Sequence, residues 1–231
     1  HLRIGRLFLS HWPEEQVHER VFDVVNQLNH SIGLIRSEDE RERLARLNVL
    51  AGNRALGAAA FASGYEYFAR GIELLSDEHW ESQYRLAVDL HTGAAEAAAL
   101  NLDFEGLEGI ARVALPRIHD VLDRVKIHYF RGHYFVTEVR LREAAESAVR
   151  TLEELGEVIP IDPAEDDTAK AIARVDALLD EVGIDGIPNL PPMTDPVKSA
   201  AMHLVRSCMT PCFFGVPEVL GLVMSLIHIS E

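Results

Sequence analysis

Cysteine and lysine are scarce in this 231-residue chain, which contains two cysteines and three lysines. So few cysteines exclude a disulfide framework and are typical of a reducing compartment, so a cytoplasmic protein is predicted. Basic residues are few as well, since 22 Lys and Arg stand against 37 Asp and Glu and give a net charge of -15. Because this charge repels phosphate backbones, nucleic acid is not predicted as a partner.

The sequence lacks the motifs of nucleotide binding and catalysis. None of Lys126, Lys170 and Lys198 follows a glycine, and the phosphate-binding G-x-x-x-x-G-K-[ST] loop does not occur. The protein-kinase motifs and the G-x-S-x-G nucleophile elbow are also missing. This segment is therefore predicted to be no enzyme, with no catalytic residue and no cofactor.

No hydrophobic run is long enough to cross a bilayer. The most apolar stretch, Phe213 to Ile229, is shorter than the ~20 residues of a spanning helix and contains Pro217 and Glu218. It predicts a helix buried in protein and no membrane span. The last residues, 225–231, read SLIHISE and resemble a translated sequencing-adapter tail. The chain begins at His1 with neither an initiator Met nor a signal peptide, so we expect a fragment of a longer protein that ends in a non-native tail.

Apolar residues recur at helical spacing along nearly the whole chain, and no sustained period-two alternation occurs. This pattern predicts an all-α protein. After a first helix that follows Pro13, three antiparallel helical hairpins are expected. Their paired apolar stripes are Leu44, Leu47, Ala51, Ala55 and Ala58 with Tyr65, Phe68, Ile72 and Leu75; Trp80, Tyr84, Ala87, His91, Ala94 and Ala98 with Phe104, Leu107, Ala111 and Ala114; and Val121, Val125 and Tyr129 with Leu141, Ala145, Ala148, Leu152 and Leu155.

Small residues within these hairpins favour a tetratricopeptide-like superhelix. In the first hairpin Gly52, Gly64, Phe68 and Gly71 occupy the positions at which such repeats carry small and aromatic residues. The corresponding residues of the second hairpin are Ala95, Leu107, Ala111 and Ala114. Because Leu107 is large and the spacing exceeds a ~34-residue repeat, the repeats are tetratricopeptide-like and not strict.

The predicted domain organisation has four parts. Residues 1–156 form the hairpins and end at Gly156, residues 157–168 form an acidic, proline-containing linker, and 169–224 continue the same solenoid before the tail at 225–231. A proline-rich loop, Gly183 to Pro196, precedes a last helix capped by Thr194 or Asp195. Pro211 is predicted to end that helix.

Five runs of the sequence are distinctive: HLRIGRLFLS (1–10), FDVVNQLN (22–29), ERLARLNVLAGNRAL (42–56), YFARGIELL (67–75) and LPPMTDP (190–196). The last four resemble the helical-repeat region of large bacterial multi-sensor signalling kinases, and the first resembles the junction after an ATPase module. The likeness covers about His1 to Met224. It implies a place between an upstream P-loop ATPase and downstream GAF sensor and histidine kinase or diguanylate cyclase domains. The catalytic motifs of that family lie outside this segment.

The segment Arg117 to Arg142 combines basic and aromatic residues that could contact an acidic protein surface. The alternative is a hairpin with core aromatics and arginines that pair with the chain's own acids. The candidate partner-binding residues are Arg117, Arg124, Lys126, Arg131, Arg140, Tyr84 and Trp80.

Other candidate sites have weaker support. His203, Cys208 and Cys212 form an H-x4-C-x3-C group that could bind zinc, but three ligands in an apolar helix favour buried, inert thiols. His128 and His133 have no neighbouring nucleophile that would indicate acid/base chemistry. No metal is predicted.

The predicted function is protein or interdomain contact and signal transmission. A concave wall is expected around Leu44 to Ala58, Trp80 to Ala98 and Val121 to Val136. The alternative is a stand-alone tetratricopeptide regulator that binds a ligand or peptide, for which Asn26, Asn48, Asn53 and Tyr84 are the candidates. These residues are expected instead to make inter-helix hydrogen bonds or caps. The oligomeric state does not follow from the sequence.

Overall fold

The computed structural model describes residues 1–183, 186, 189 and 192–229. The loop positions 184, 185, 187, 188, 190 and 191, which include the start of the LPPMTDP run, and the tail positions 230 and 231 lie outside the described residues. In the described ranges no residue lies in a β-strand, so the all-α prediction is confirmed. The helices are α1 (Leu2–His11), α2 (Glu14–Glu19), α3 (Val21–Asn29), α4 (Glu38–Gly57), α5 (Phe61–Glu73), α6 (His79–Ser82), α7 (Tyr84–Leu100), α8 (Phe104–Ala114), α9 (Val121–Thr137), α10 (Leu141–Glu154), α11 (Glu165–Val182), α12 (Pro196–Gly215) and α13 (Pro217–Ile229), with a short 3-10 helix at Ile32–Leu34.

Two compact units make up the chain, unit 1 from His1 to Ile118 and unit 2 from His119 to Glu231. The boundary falls inside the range 1–156 that the sequence assigned to hairpins. The four-part organisation and the superhelix remain predictions.

The core of unit 1 is centred on Phe68 of α5, whose side chain is fully buried. A Cβ atom on Gly52 of α4 would lie 2.6 Å from Phe68 Cζ, and one on Gly93 of α7 would overlap the same ring. Gly71, one turn further along α5, lies against Asn48 and Leu90 in the same way. From Phe68 to Gly71 the chain goes forward along α5, while its neighbours go back from Gly52 to Asn48 in α4 and from Gly93 to Leu90 in α7. Helices α4 and α7 therefore run parallel to each other, and α5 runs antiparallel to both.

Unit 2 repeats this arrangement with other helices. Helix α10 packs against both α9 and α12, and α12 also packs on α13. Gly215 at the end of α12 lies against the start of α10, where a Cβ atom would be 2.7 Å from the backbone nitrogen of Arg142. A glycine is required there because the atoms it meets belong to the backbone, which cannot move aside as a flexible side chain can.

The three predicted hairpins, α4–α5, α7–α8 and α9–α10, close with the same turn. The second linking residue of each has positive φ: Ala59 (56°), Leu102 (58°) and Val139 (59°). The N–H of the next residue then bonds back to the helix that has just ended, as from Arg140 N to Phe135 O at 2.8 Å. This is the Schellman pattern, which satisfies carbonyls at a helix end and in which glycine is usual at the positive-φ position. Gly156, predicted to end α10, has a φ of +93° and adopts the same pattern.

Four sequence predictions about helix limits are wrong. Pro211 does not end a helix, because α12 continues through it to Gly215. Trp80 lies on the separate helix α6, since the chain breaks at Gln83, whose φ of -132° is not helical. Ala58 lies beyond the end of α4 and is exposed. The apolar stretch 213–229 is divided at Val216 and leaves Phe213 58% exposed, so it is not one buried helix. Asp195 does cap α12, by accepting a bond from Val197 N at 2.8 Å.

In the described part of the chain, no helix has the length and apolar character required to traverse a bilayer.

We expect Gly93→Ala to destabilise unit 1 by about 1–3 kcal/mol, because the added methyl group overlaps the enclosed ring of Phe68. Gly109→Ala in α8 is the matched control, since a Cβ atom there meets nothing within 4 Å. This control should raise the free energy of unfolding by about 0.5–1 kcal/mol through helix propensity. Urea unfolding of both variants checks the prediction, and two changes of equal sign would contradict it.

Val139→Gly is expected to stabilise unit 2, because a β-branched residue at positive φ costs about 1–2 kcal/mol and glycine does not pay this cost. The Val139 side chain is 76% exposed, so its removal loses little packing. The larger backbone entropy of glycine in the unfolded chain offsets part of the gain. Val158→Gly, at an equally exposed site without positive φ, should destabilise. Thermal unfolding of the two variants tests this difference, and equal losses of stability would refute it.

Candidate functional site

The candidate partner-binding residues are divided between the two units. Trp80, Tyr84 and Arg117 belong to unit 1, whereas Arg124, Lys126, Arg131 and Arg140 belong to unit 2. Each set is therefore described within its own unit.

In unit 1, Trp80 lies in one cluster of side chains with Arg117 and His91. The Arg117 guanidinium lies 5.9 Å from the centroid of the Trp80 ring, and its Nη2 donates to Asp77 Oδ1 at 3.2 Å. Trp80 is only 9% exposed, and its ring contacts that of His91 at a tilt of 43°, with centroids 4.7 Å apart. The cluster joins α6 to α7, so the Trp80 ring is mostly occupied within unit 1. Tyr84 is half-buried at the start of α7.

His91 is buried in the cluster with Trp80 and Arg117, and its Nδ1 donates to the Ala87 carbonyl at 2.7 Å. Burial lowers the pKa of the His91 imidazole, because a charged ring would lose its hydration. The positive charge of Arg117 lowers this pKa further, while the hydrogen bond to Ala87 acts in the opposite direction.

In unit 2, Arg124 connects α9 to α10. Its Nε donates to Glu154 Oε2 at 2.8 Å, and the other oxygen of Glu154 lies 3.7 Å from His128 Nε2. Burial is the main cause that lowers the pKa of His128, and the carboxylate of Glu154 opposes it. The pairing of Arg124 with Glu154 agrees with the interpretation that the arginines pair with the chain's own acids.

Two further basic residues of unit 2 also have acidic neighbours. Lys126 Nζ donates to Asp123 Oδ1 at 2.9 Å, and the Asp123 side chain is almost fully buried. Arg140 makes two bonds of 2.6 Å to Glu143 and lies 4.8 Å from the centroid of the Phe135 ring. Its hydrogen bond and charge lower the pKa of Glu143. Arg131 lies on α9 and is half-buried.

A groove of about 460 Å³ lies between α9 and α12 and contains Lys126. We call it the α9–α12 groove. Its lining is formed by Leu122, Val125, Lys126, Tyr129 and Phe130 of α9 and by Pro196, Ser199, Ala200, His203 and Leu204 of α12. The α9 residues are three or four apart, so they form one helical face, and most of the lining is apolar. No carboxylate is among these lining residues.

His203 is not brought together with the two cysteines of the possible zinc group. It is exposed, whereas Cys208 and Cys212 are buried in α12 as free thiols. The hydrogen bond that the Cys208 thiol makes to Cys212 as donor, together with burial, raises the pKa of Cys208 well above its ordinary value. Within the ranges that the structure describes, no cluster of three or more His, Cys, Asp or Glu is arranged to hold a metal.

The asparagine candidates mostly hold helices together. Asn48 is fully buried and exchanges two hydrogen bonds with Asn29, at 2.8 and 3.0 Å, which joins α3 to α4. Asn26 accepts a bond from Tyr67 OH at 3.0 Å, which joins α3 to α5. The expectation of inter-helix hydrogen bonds is confirmed for these two residues, while Asn53 is exposed.

A distant similarity links this chain to a signalling protein. It is 23% identical over 159 residues to the "Hybrid signal transduction histidine kinase G" of Dictyostelium discoideum. The match covers 65% of this chain and 5% of that protein. It indicates a signalling-kinase context.

No protein-family model matches the chain, and no solved structure matches it.

Of the two walls of the groove, only the α9 wall contains residues of the predicted partner-binding stripe. Lys126 lies in both the stripe and the groove. The α12 residues Pro196, Ser199 and Ala200 are small or weakly polar, so nothing in their composition indicates a surface. Helical spacing at Pro196, Ala200 and Leu204 was the available signal.

We expect unit 1 to lose stability as the pH falls below about 6.5, the ordinary pKa of histidine. The folded pKa of His91 is below the unfolded value, so the unfolded chain binds more protons in that range, with a slope of at most about 1.4 kcal/mol per pH unit. His91→Gln should reduce this slope. Both tryptophans, Trp12 and Trp80, lie in unit 1, so urea unfolding followed by their fluorescence measures this unit. The same change at exposed His11 is the control, and an unaltered slope in His91→Gln would contradict the assignment.

Proposed function

We propose that this chain is a non-catalytic helical-repeat segment of a multidomain signalling kinase, located in the cytoplasm. In this proposal it transmits a signal through contact with neighbouring domains or with partner proteins. The residues predicted to bind a partner remain the candidates, and the structure adds the residues that line the α9–α12 groove. The predicted residues are Trp80, Tyr84, Arg117, Arg124, Lys126, Arg131 and Arg140.

The distant similarity to a hybrid histidine kinase supports the signalling context. It spans 159 residues, which is far more than one helical hairpin contains. The sequence lacks the phosphate-binding loop and the protein-kinase motifs, so a role other than phosphoryl transfer suits this segment.

The α9–α12 groove is the observation that carries the contact role. An open hollow with Tyr129 and Phe130 on one wall and Leu204 on the other offers apolar surface that an amphipathic helix can bury. Aromatic residues are enriched in the centres of protein interfaces, because they bury much area with little loss of side-chain entropy.

The occupant that we propose is an amphipathic helix with acidic residues at its edge. Lys126 and His203 lie on opposite walls of the groove, and no carboxylate lines it. Lys126 already bonds to Asp123, so acidic side chains on the occupant would meet only the exposed side of its ammonium group, while the occupant's apolar face would cover Leu122 and Ala200.

The stand-alone ligand-binding regulator has less support. Asn26 and Asn48, which that alternative requires for ligand recognition, already bond to Tyr67 and Asn29. Their amide groups therefore serve the packing of α3 against α4 and α5.

Ala200→Trp should uncouple signal from output in the kinase that carries this segment, because the indole fills the groove and excludes a docked helix. Binding at one site commonly changes the affinity of a second site by about 5- to 150-fold. In this variant we expect the ratio of the phosphorylation rates with and without the signal to fall towards one. Basal histidine phosphorylation should remain. Arg206→Trp is the control, since Arg206 is exposed on the same helix and does not line the groove.

Radiolabelled phosphate transfer, measured with and without the activating signal, gives both rates. Equal stimulation of the Ala200→Trp variant and the wild type would refute the contact role of the groove. ATP hydrolysis by the isolated chain would refute the non-catalytic assignment.

A further inference from the structure

A second hollow of unit 2 lies further along α9 and α12, next to the α9–α12 groove. It is a cavity of about 180 Å³ bounded by α9, α10 and α12. Its lining consists of His128, Tyr129, Gly132, His133, Val136, Ala144, Ala148, Leu204, Ser207, Cys208, Thr210 and Pro211. Cavities of about 150 Å³ in helical proteins admit a benzene ring, so this one has room for one aromatic ring with a substituent.

Gly132 is the first residue of this lining that the fold alone does not explain. It lies inside α9, where glycine is the poorest helix former after proline. At Gly52 and Gly215 a neighbouring group leaves no room for a side chain, but a Cβ atom on Gly132 would meet nothing within 4 Å. The missing side chain leaves space in the cavity and serves no contact between helices.

Pro211 is the second such residue, and it faces the same cavity from inside α12. Proline has no N–H, so the carbonyl of Ser207 one turn earlier loses its usual intrahelical partner. Ser207 also lines the cavity. A proline within a helix is costly, and here it leaves a strong hydrogen-bond acceptor beside a mostly apolar hollow.

The other lining groups restrict the chemistry of an occupant. No Asp, Glu, Lys or Arg is among them, so no charged side chain is present to pair with an ion. Tyr129 and His133 meet edge to face with centroids 4.5 Å apart, and Val136, Ala144 and Leu204 add apolar surface. Such a lining favours an uncharged aromatic molecule.

We propose that this cavity is a binding site for a small uncharged aromatic molecule with one hydroxyl or amino group, which donates a hydrogen bond to the Ser207 carbonyl. Two helix-breaking residues on different helices, Gly132 and Pro211, line one hollow, and a Cβ atom on Gly132 would meet nothing within 4 Å. Residues that violate local helix rules in this way are expected at functional sites. The cavity shares Tyr129 and Leu204 with the α9–α12 groove, and an occupant would add a chemical input to the segment beside the proposed docking surface.

Phenol and benzene are the probes, because they differ in the hydroxyl group that the proposal requires. Methyl NMR of Ala144, Ala148 and Leu204 should show saturable shifts with phenol, and calorimetry should give its affinity. Phenol should bind about 2- to 10-fold more tightly than benzene, the usual worth of one neutral hydrogen bond. Pro211→Ala restores an N–H for the Ser207 carbonyl and should abolish this preference.

Gly132→Leu should weaken phenol binding by about tenfold or more, because the added side chain occupies the cavity. Gly109→Leu in unit 1 is the matched control, and its affinity should equal that of the wild type. Circular dichroism checks the helical content of each variant. If Gly132→Leu does not fold, Gly132→Ala should weaken binding in the same direction, because its methyl group also enters the cavity. Any one of three results would overturn the proposal: no saturable shift with phenol, equal affinity for phenol and benzene, or unchanged binding by the folded Gly132 variant.

Discussion

The closeness of three helices around the ring of Phe68 is the constraint on which unit 1 depends. Gly52 and Gly93 remove the side chains that would separate α4, α5 and α7, so the ring contacts helix backbone on two sides. Dispersion and hydrophobic burial are greatest in such close contact. Once α5 is fixed, Gly71 lies against Leu90, Asn48 pairs with Asn29, and α3 is placed against α4. The positions of the outer helices thus follow from one aromatic side chain and the glycines that face it.

Most of the candidate basic residues of this protein pair with acidic residues of their own unit. Although acids outnumber bases by 37 to 22, the basic residues are not left for a partner by default. Arg124, Arg140 and Lys126 each bond to a carboxylate of their own unit, and Arg117 bonds to Asp77. Exposed pairs of this kind contribute little to stability, but they fix side-chain orientation. The surface that they leave between α9 and α12 is apolar, and so a partner is more strongly recognised there by shape than by charge.

Helical periodicity was sufficient to predict most elements, because each helix buries a stripe at 3.6-residue spacing. The end of α10 at Gly156 and the Asp195 cap were predicted from local chemistry, whereas the positive-φ residues of the hairpin turns were not. The course of α12 through Pro211 was missed because proline breaks an isolated helix, whereas here α10 and α13 pack on α12 and hold it together. The break at Gln83 was missed because Trp80 and Tyr84 keep helical spacing across it. Composition singled out a basic, aromatic stripe that includes residues of α9, but the groove and the cavity depend on which helices meet, and a single sequence does not contain that information.

The shared turn of the three hairpins has a consequence for how the chain folds. Only three residues separate the helices of each hairpin, as at 58–60 between α4 and α5. Closing so short a loop costs little chain entropy, and the contacts that result are close in sequence. Each hairpin can therefore form early and by itself, with the later step being the association of preformed pairs. That association joins residues far apart in sequence, such as Gly215 and Arg142, and so it carries most of the cost in chain entropy.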